Sequence, residues 1–269
     1  MKRLAITILV LAALTMLFTG CSKSGEKENT SGSKSEEIEK KDTLVIGVDD
    51  KFAPMGFRDE NNELVGFDIE YAKAAVEKMG KTAKFQPIDW KTKETELKSG
   101  RIDLIWNGYT ITDKRKEMVL FTKPYLKNAQ VIATLAKSDI SKLDDLEGKV
   151  VGLQSLSSAA DALNENPVNS KIKSVTEFAD NVLALTDLKT GRLDAVVIDE
   201  VVINYYMSKE KGVFKVLDES LEPEEYGVGV KKGNEKLLEQ LQKALDEINE
   251  DGTAAKISQK WFGEDKVLK

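Results

Sequence analysis

The sequence predicts an α/β protein with mainly parallel sheets, arranged as two lobes. Three observations carry that expectation. From residue 43 onward, β-branched runs alternate with amphipathic stretches almost to the end of the chain. The 269 residues exceed what one core usually organises and suit two lobes of roughly 100–130 residues each. No segment repeats at a period of about 20–50 residues, which sets aside solenoids and propellers.

Taken in order, Thr43–Val48 is a β-branched strand. Phe67, Ala74, Ala75, Val76 and Met79 fall near helical spacing, and Gly80 ends that helix. Ala83–Gln86 reads as a strand, and Lys93–Lys98 as a short helix stopped by Ser99-Gly100. Asp103–Trp106 is a buried strand, Asp113–Met118 a helix, and Gln130–Leu135 and Lys149–Gln154 are strands. Ser158–Leu163 is a helix that Ser157 or Ser158 can cap. Asn181–Lys189 is a helix ended by Gly191, followed by strand Ala195–Ile198 and helix Val201–Lys209. Val213–Leu217 and Tyr226–Val230 are strands. Leu237, Leu238, Leu241, Leu245 and Ile248 make Asn234–Asn249 a long amphipathic helix, and Ala254–Lys260 is the last one.

Composition excludes several classes. The chain has no histidine, so Ser-His-Asp, Cys-His and His-metal chemistry are ruled out. Its one cysteine, Cys21, cannot form an internal disulfide or a Cys-rich zinc site. A net charge of -6 argues against a nucleic-acid footprint. There is no glycine-rich phosphate loop and no EF-hand loop, and no metal or cofactor is expected.

The N-terminus reads as a targeting segment. Met1-Lys2-Arg3 is a basic start, and Leu4 to Phe18 run for 15 residues without a charge. That is short of the ~20 residues a bilayer span wants and suits the apolar core of a secretory signal. The run ends in Leu17-Phe18-Thr19-Gly20-Cys21, which resembles a bacterial lipobox, with Phe18 where leucine is usual. We therefore expect residues 1–20 to be a lipoprotein signal peptide and Cys21 to be acylated. Ser22 to Asp42 carries one sizeable apolar residue, Ile38, among Lys, Glu, Ser, Gly, Asn, Asp and Thr. It cannot bury a core, so residues 21–42 are expected to be a flexible tether.

Four motifs occur in order: Gly47-Val-Asp-Asp-Lys-Phe-Ala-Pro-Met-Gly-Phe57, Val65-Gly-Phe-Asp-Ile69, Thr110-Ile-Thr-Asp-Lys-Arg115 and Asp194-Ala-Val-Val-Ile-Asp199. With the lipobox, they resemble the family 3 solute-binding proteins of polar amino-acid ABC importers. The resemblance spans residues 43 to about 263. It implies a two-lobe periplasmic-binding-protein fold with a hinge and an interlobe ligand cleft. Lobe 1 would comprise residues 43–129 plus 226–269, and lobe 2 residues 130–225, with hinges near Asn128–Val131 and Glu225–Gly227.

A free amino acid presents a carboxylate and an ammonium on one carbon, so its site needs a paired-donor cation and an anion in fixed relation. The family's Thr-x-x-Arg arginine maps onto Arg115, the candidate for the carboxylate; without the resemblance it reads as a solvated arginine beside Lys114 and Lys116. Ser157 and Ser158 map to the second carboxylate contact, at a helix start where free amides favour an anion; plain N-capping is the other reading, and both can hold. Leu156 stands where the family usually has glycine. Asp199, at the end of a buried strand, is the candidate for the ammonium, helped by the Gly108 carbonyl and the Thr110 hydroxyl; its alternative is a helix N-cap. Asp49, Phe52, Trp90, Trp106, Asn107 and Tyr109 would shape the pocket, with Asp49 accepting from the ligand side chain, Phe52 stacking on its stem and Glu94 near Asp49. Core packing is the alternative for Trp90 and Trp106.

No Lys or Arg maps to the specificity side, which disfavours acidic ligands and leaves arginine, lysine, glutamine or cystine. The implied protein is a monomer, lipid-anchored to the cell membrane on its extracytoplasmic side, that hands a free amino acid to an ABC permease driven by a separate ATPase. It would be no enzyme and bind no nucleic acid. The alternative is a dehydratase on the same fold, with cleft carboxylates as acid and base.

Overall fold

The computed structural model describes residues 41–269. The signal peptide, Cys21 and all but the last two residues of the tether lie outside the described residues. The chain runs β1 (Thr43–Val48), β2 (Lys51–Phe52), β3 (Gly56–Arg58), β4 (Leu64–Val65), α1 (Phe67–Lys78), β5 (Thr82–Pro87), α2 (Lys93–Ser99), β6 (Leu104–Ile105), α3 (Asp113–Met118), β7 (Val119–Phe121), β8 (Leu126–Leu135) and β9 (Val150–Gln154). It continues through α4 (Ser158–Glu165), β10 (Ser174–Phe178), α5 (Asn181–Lys189), β11 (Ala195–Asp199), α6 (Glu200–Lys209), β12 (Phe214–Tyr226), β13 (Gly229–Lys231), α7 (Glu235–Glu250) and α8 (Thr253–Phe262). Among the described residues, no helix is long and apolar enough to cross a membrane.

Two five-stranded sheets organise the molecule, in the orders β5-β1-β6-β13-β7 and β10-β9-β11-β8-β12. Strands β2, β3 and β4 make a small third sheet. Both large sheets are covered on both faces, because alternate residues point to opposite sides. On β1, Leu44, Ile46 and Val48 enter one hydrophobic cluster, while Val45 packs with Trp90, Ile105 and Tyr109 on the other face. On β11, Val196 and Ile198 face one cluster and Ala195 and Val197 the other. Helix α7 buries Leu237, Leu241, Ala244, Leu245 and Ile248, the stripe that its i, i+4 spacing predicts.

The expectation of mainly parallel sheets needs correction. Each sheet has two parallel and two antiparallel pairings. The cause lies in the connections. The chain leaves the first sheet after β7, builds the second, and returns through β12 straight into β13, without the helical crossover that a parallel neighbour requires. The expected strands Val213–Leu217 and Tyr226–Val230 are likewise redrawn. Phe214–Tyr226 is one continuous strand paired with β8, and a separate strand begins at Gly229. β12 lies at a sheet edge, where acidic residues and Pro223 are tolerated, so its middle does not read as strand. β10, an edge strand with four exposed residues, is unread for the same reason.

One glycine shows how tightly the first sheet's helix is seated. Gly66, before α1, has φ +142°, and a Cβ there would fall 2.2 Å from the Met55 carbonyl oxygen. Only glycine fits both constraints.

Candidate amino-acid site

The C-terminal ends of β1, β6, β9 and β11 deliver Asp49, the Trp106–Thr110 turn, the loop before α4, and Asp199 to one region between the sheets. Strands β8 and β12 cross beside it. The two sides touch. Lys93 Nζ donates to the Leu156 carbonyl at 3.0 Å, the Thr110 and Ser158 hydroxyls lie 3.0 Å apart, and Gln154 Nε2 donates to Asp49 at 2.8 Å.

Arg115 sits on α3, whose N-terminus Thr112 caps by accepting from the Arg115 amide. Its side chain is only 4% exposed. One guanidinium nitrogen donates to the Thr110 carbonyl at 2.9 Å, and the group lies 4.7 Å above the Tyr109 ring. Among the described residues, no Asp or Glu forms an ion pair with it. A buried, fixed fork without a carboxylate partner can receive one bidentately.

The start of α4 faces the same region. Ser157 is its N-cap, accepting from the Ala160 amide and donating to the Gln154 carbonyl. Ser158, not Ser157, reaches across, meeting Thr110 and accepting from Gln130 Nε2 at 3.3 Å. Leu156 has a left-handed φ of +52°, a conformation that favours glycine.

Asp199 occupies the N-cap position of α6 but makes no capping bond. Its Oδ1 accepts instead from the Tyr226 hydroxyl at 2.6 Å, Asn128 Nδ2 at 2.8 Å and Gln130 Nε2 at 3.0 Å. Glu224 Oε1 accepts from the same two amides, at 2.6 and 2.9 Å, and from the Thr110 hydroxyl at 3.1 Å. Burial, and then the Glu224 charge, hold the Asp199 carboxyl well above its ordinary range. A cation brought to this pair would offset their repulsion and favour the charged form of Asp199.

At the other end, Asp49 accepts from the Lys51 amide and from Gln154, and burial lifts its pKa to about 6. Lys51 Nζ pairs with Asp180, the N-cap of α5, at 2.8 Å. Phe52 lies against Gly108, where a Cβ would be 2.8 Å from its ring. Gly108 has φ +53°, and its amide donates to the buried Asp68 at 2.6 Å.

The remaining sequence candidates divide. Tyr109 stacks on Phe121, meets Trp90 edge-on, and gives its hydroxyl to Glu94. The structure therefore ties Glu94 to Tyr109 and Lys93. Trp106 is wholly buried against Tyr71 and Tyr125, which is core packing. Asn107 packs beside Gly56, and neither polar atom of its side chain has a hydrogen-bond partner among the described residues.

Sequence reasoning missed Asn128, Gln130, Glu224, Tyr226, Gln154 and Lys93. A signal existed for four of them. Asn128 and Gln130, and likewise Glu224 and Tyr226, are two apart, so each pair shares a strand face once β8 and β12 are drawn at full length.

The model of bacterial extracellular solute-binding proteins, family 3, matches residues 44–264. The chain belongs to that family. As a family 3 solute-binding protein it has the two-lobe α/β binding-protein fold. Among its relatives, L-cystine-binding protein TcyJ of Escherichia coli K12 is 30% identical over 231 residues, covering 85% of this chain and 86% of the relative. ABC transporter arginine-binding protein 1 of the same strain is 32% identical over 259 residues, covering 94% and 98%. A crystal structure of an ABC uptake transporter substrate-binding protein from Streptococcus pneumoniae with bound histidine superposes with a TM-score of 0.84 at 39% identity, covering 90% of this chain and all of that one.

Proposed function

We propose that this family 3 protein captures a polar or basic L-amino acid (arginine or lysine, glutamine, or cystine) outside the cell and delivers it, chemically unchanged, to an ABC permease served by a separate ATPase. One observation carries the reading. Thr110 links a buried guanidinium to a carboxylate pair in which Asp199 is buried and Glu224 half-buried: its carbonyl accepts from Arg115 and its hydroxyl donates to Glu224, beside Asp199. Opposite charges one residue apart match the carboxylate and ammonium that an α-amino acid carries on one carbon. Arg115 and the amides at the start of α4 take the carboxylate, and Asp199 with Glu224 takes the ammonium. Asp49 takes a donor on the side chain, while Phe52 and Trp90 bound its stem. Relatives named for arginine and cystine binding support this ligand class.

In the same reading, residues 43–129 plus 226–269 and residues 130–225 are the lobes, and β8 and β12 are the strands about which they close. Residues 1–20 direct export, acylated Cys21 anchors the monomer to the membrane, and residues 21–42 tether it. Ligand contacts made by both lobes favour the closed arrangement.

A thermal-shift screen of the common L-amino acids plus cystine, followed by calorimetry, tests this. Binding raises the melting temperature by mass action. One or more of the four named ligands should bind and be recovered intact. Binding by none of them, or conversion to a new product, overturns the proposal.

A further inference from the structure

Lys93 is 2% exposed, unusual for a lysine, and the amino-acid site as drawn does not use it. Its ammonium faces the Leu156 carbonyl at 3.0 Å, the Trp90 carbonyl at 3.2 Å and Glu94 Oε1 at 3.4 Å, and it lies 5.1 Å from the Trp90 ring centre. Two of its three donors go to the carbonyls, and the Glu94 carboxylate pairs with its charge. Lys93 is therefore not free to grip a ligand.

Its partner Leu156 is peculiar in its own right. It holds a left-handed φ of +52° that a side-chain-bearing residue rarely adopts, and it leaves an apolar side chain 60% exposed. Nothing apolar is gained there. What the conformation achieves is to aim the Leu156 carbonyl across the cleft at Lys93. Leu156 directly precedes Ser157 and Ser158, whose amides open α4. On the opposite side, Lys93 contacts Glu94, Glu94 accepts from the Tyr109 hydroxyl, and the Tyr109 ring carries the Arg115 guanidinium. An unbroken line of contacts thus joins the α4 entry loop to the arginine.

We propose that Lys93 is a positioning residue that fastens the Ser155–Ser157 loop to the Tyr109–Arg115 platform, and so sets where the α4 amides and the guanidinium meet one carboxylate. Its effect on affinity rests on the amino-acid reading of the cleft; its effect on the loop does not.

The test uses the full-length chain and two readouts. Hydrogen exchange of the Leu156–Ala160 amides, without added amino acid, should speed up in Lys93→Met and leave distant segments unchanged. Affinity is measured with L-arginine, L-lysine, L-glutamine and L-cystine. For whichever binds the wild type, Lys93→Met should weaken binding by about tenfold to a hundredfold, the worth of hydrogen bonds made by a charged donor. Leu156→Gly removes the cost of the left-handed turn, so adding it to Lys93→Met should restore part of the affinity. If Lys93→Met does not fold, Lys93→Gln, one atom too short to span to Leu156, is read in the same way. Unchanged exchange in the loop, or a double variant no better than Lys93→Met, overturns the proposal. A wild type that binds none of the four ligands overturns the amino-acid reading instead, and the exchange readout still decides the role of Lys93.

Discussion

Asp199 and Glu224 share their hydrogen-bond donors: Asn128 Nδ2 and Gln130 Nε2 each reach an oxygen of both carboxylates, at distances from 2.6 to 3.0 Å. Two carboxylates held on common donors repel one another, and Asp199 is buried. Such an arrangement is costly for the protein alone and favourable once a cation arrives. We expect Glu224→Gln to raise the melting temperature of the ligand-free protein while weakening amino-acid binding by about 2–5 kcal/mol, the scale of a buried charge contact. Asp199→Asn should weaken binding more, and the double variant less than the sum of the two. Additive losses in a calorimetric double-mutant cycle would separate the two carboxylates into independent roles.

Arg115 offers a second test. Its guanidinium is oriented by the Thr110 carbonyl and the Tyr109 ring. On the proposed reading, truncation to alanine leaves the ligand carboxylate unpaired in a desolvated cleft and should cost about 2–5 kcal/mol of binding. Arg115→Lys keeps the charge but loses the planar fork, so it should recover only part of that loss. Equal affinities for wild type and Arg115→Ala by calorimetry would remove the arginine from the site.

The proposed anchor at Cys21 is tested separately. Cys21→Ser should leave ligand affinity unchanged and shift the protein from the membrane fraction to the medium or the soluble extracytoplasmic fraction. Mass spectrometry of the wild type should find Cys21 as an acylated N-terminus. An unmodified cysteine in a protein that still sediments with membranes would defeat the anchor.

How far the site was legible follows from how its residues are signalled. Arg115 and Asp199 stand in motifs, so the family resemblance singled them out where composition and spacing alone did not. The seating of Asp199 was less visible: a residue at a helix start suggests a cap, yet its carboxylate turns to Tyr226 because β12 runs beside β11's neighbour β8. Glu224 was hidden in the run Glu222-Pro-Glu-Glu225, which reads as a polar loop and is an edge strand. Lys93 was hidden because helical spacing says nothing about a lysine whose head is buried. Long, doubly covered strands such as β1 and β11 were readable because both faces are apolar. The polar edge strand β10 and the two- and three-residue strands β2, β3 and β4 carry no such signal, whereas the short β6 was readable because both its residues are apolar.

Asp68 gives the last prediction, through pH. Its Oδ2 accepts from the Gly108 amide at 2.6 Å and the Tyr125 hydroxyl at 3.0 Å, while Oδ1 has no hydrogen-bond partner among the described residues. Burial outweighs those two bonds and lifts its pKa from 3.8 to about 7. Between these values the folded protein holds a proton that the unfolded chain has released. Stability from this group is therefore complete below about pH 4 and falls as pH rises through about 7, by roughly 1.4 kcal/mol per unit within that window. Asp49, raised to about 6, acts with the same sign, whereas Lys93, lowered to about 8 by burial and Arg115, adds stability as pH climbs from there toward 10.5. Urea unfolding should thus find the wild type more stable at pH 5 than at pH 7, and Asp68→Asn should flatten that slope. The asparagine carbonyl can still accept from Gly108, so the turn that carries Tyr109 and Thr110 should keep its place and ligand affinity should change by less than about tenfold, the scale of one neutral hydrogen bond. Parallel stability curves for the two proteins across pH 5–7 would show that Asp68 does not titrate in the folded protein in this range.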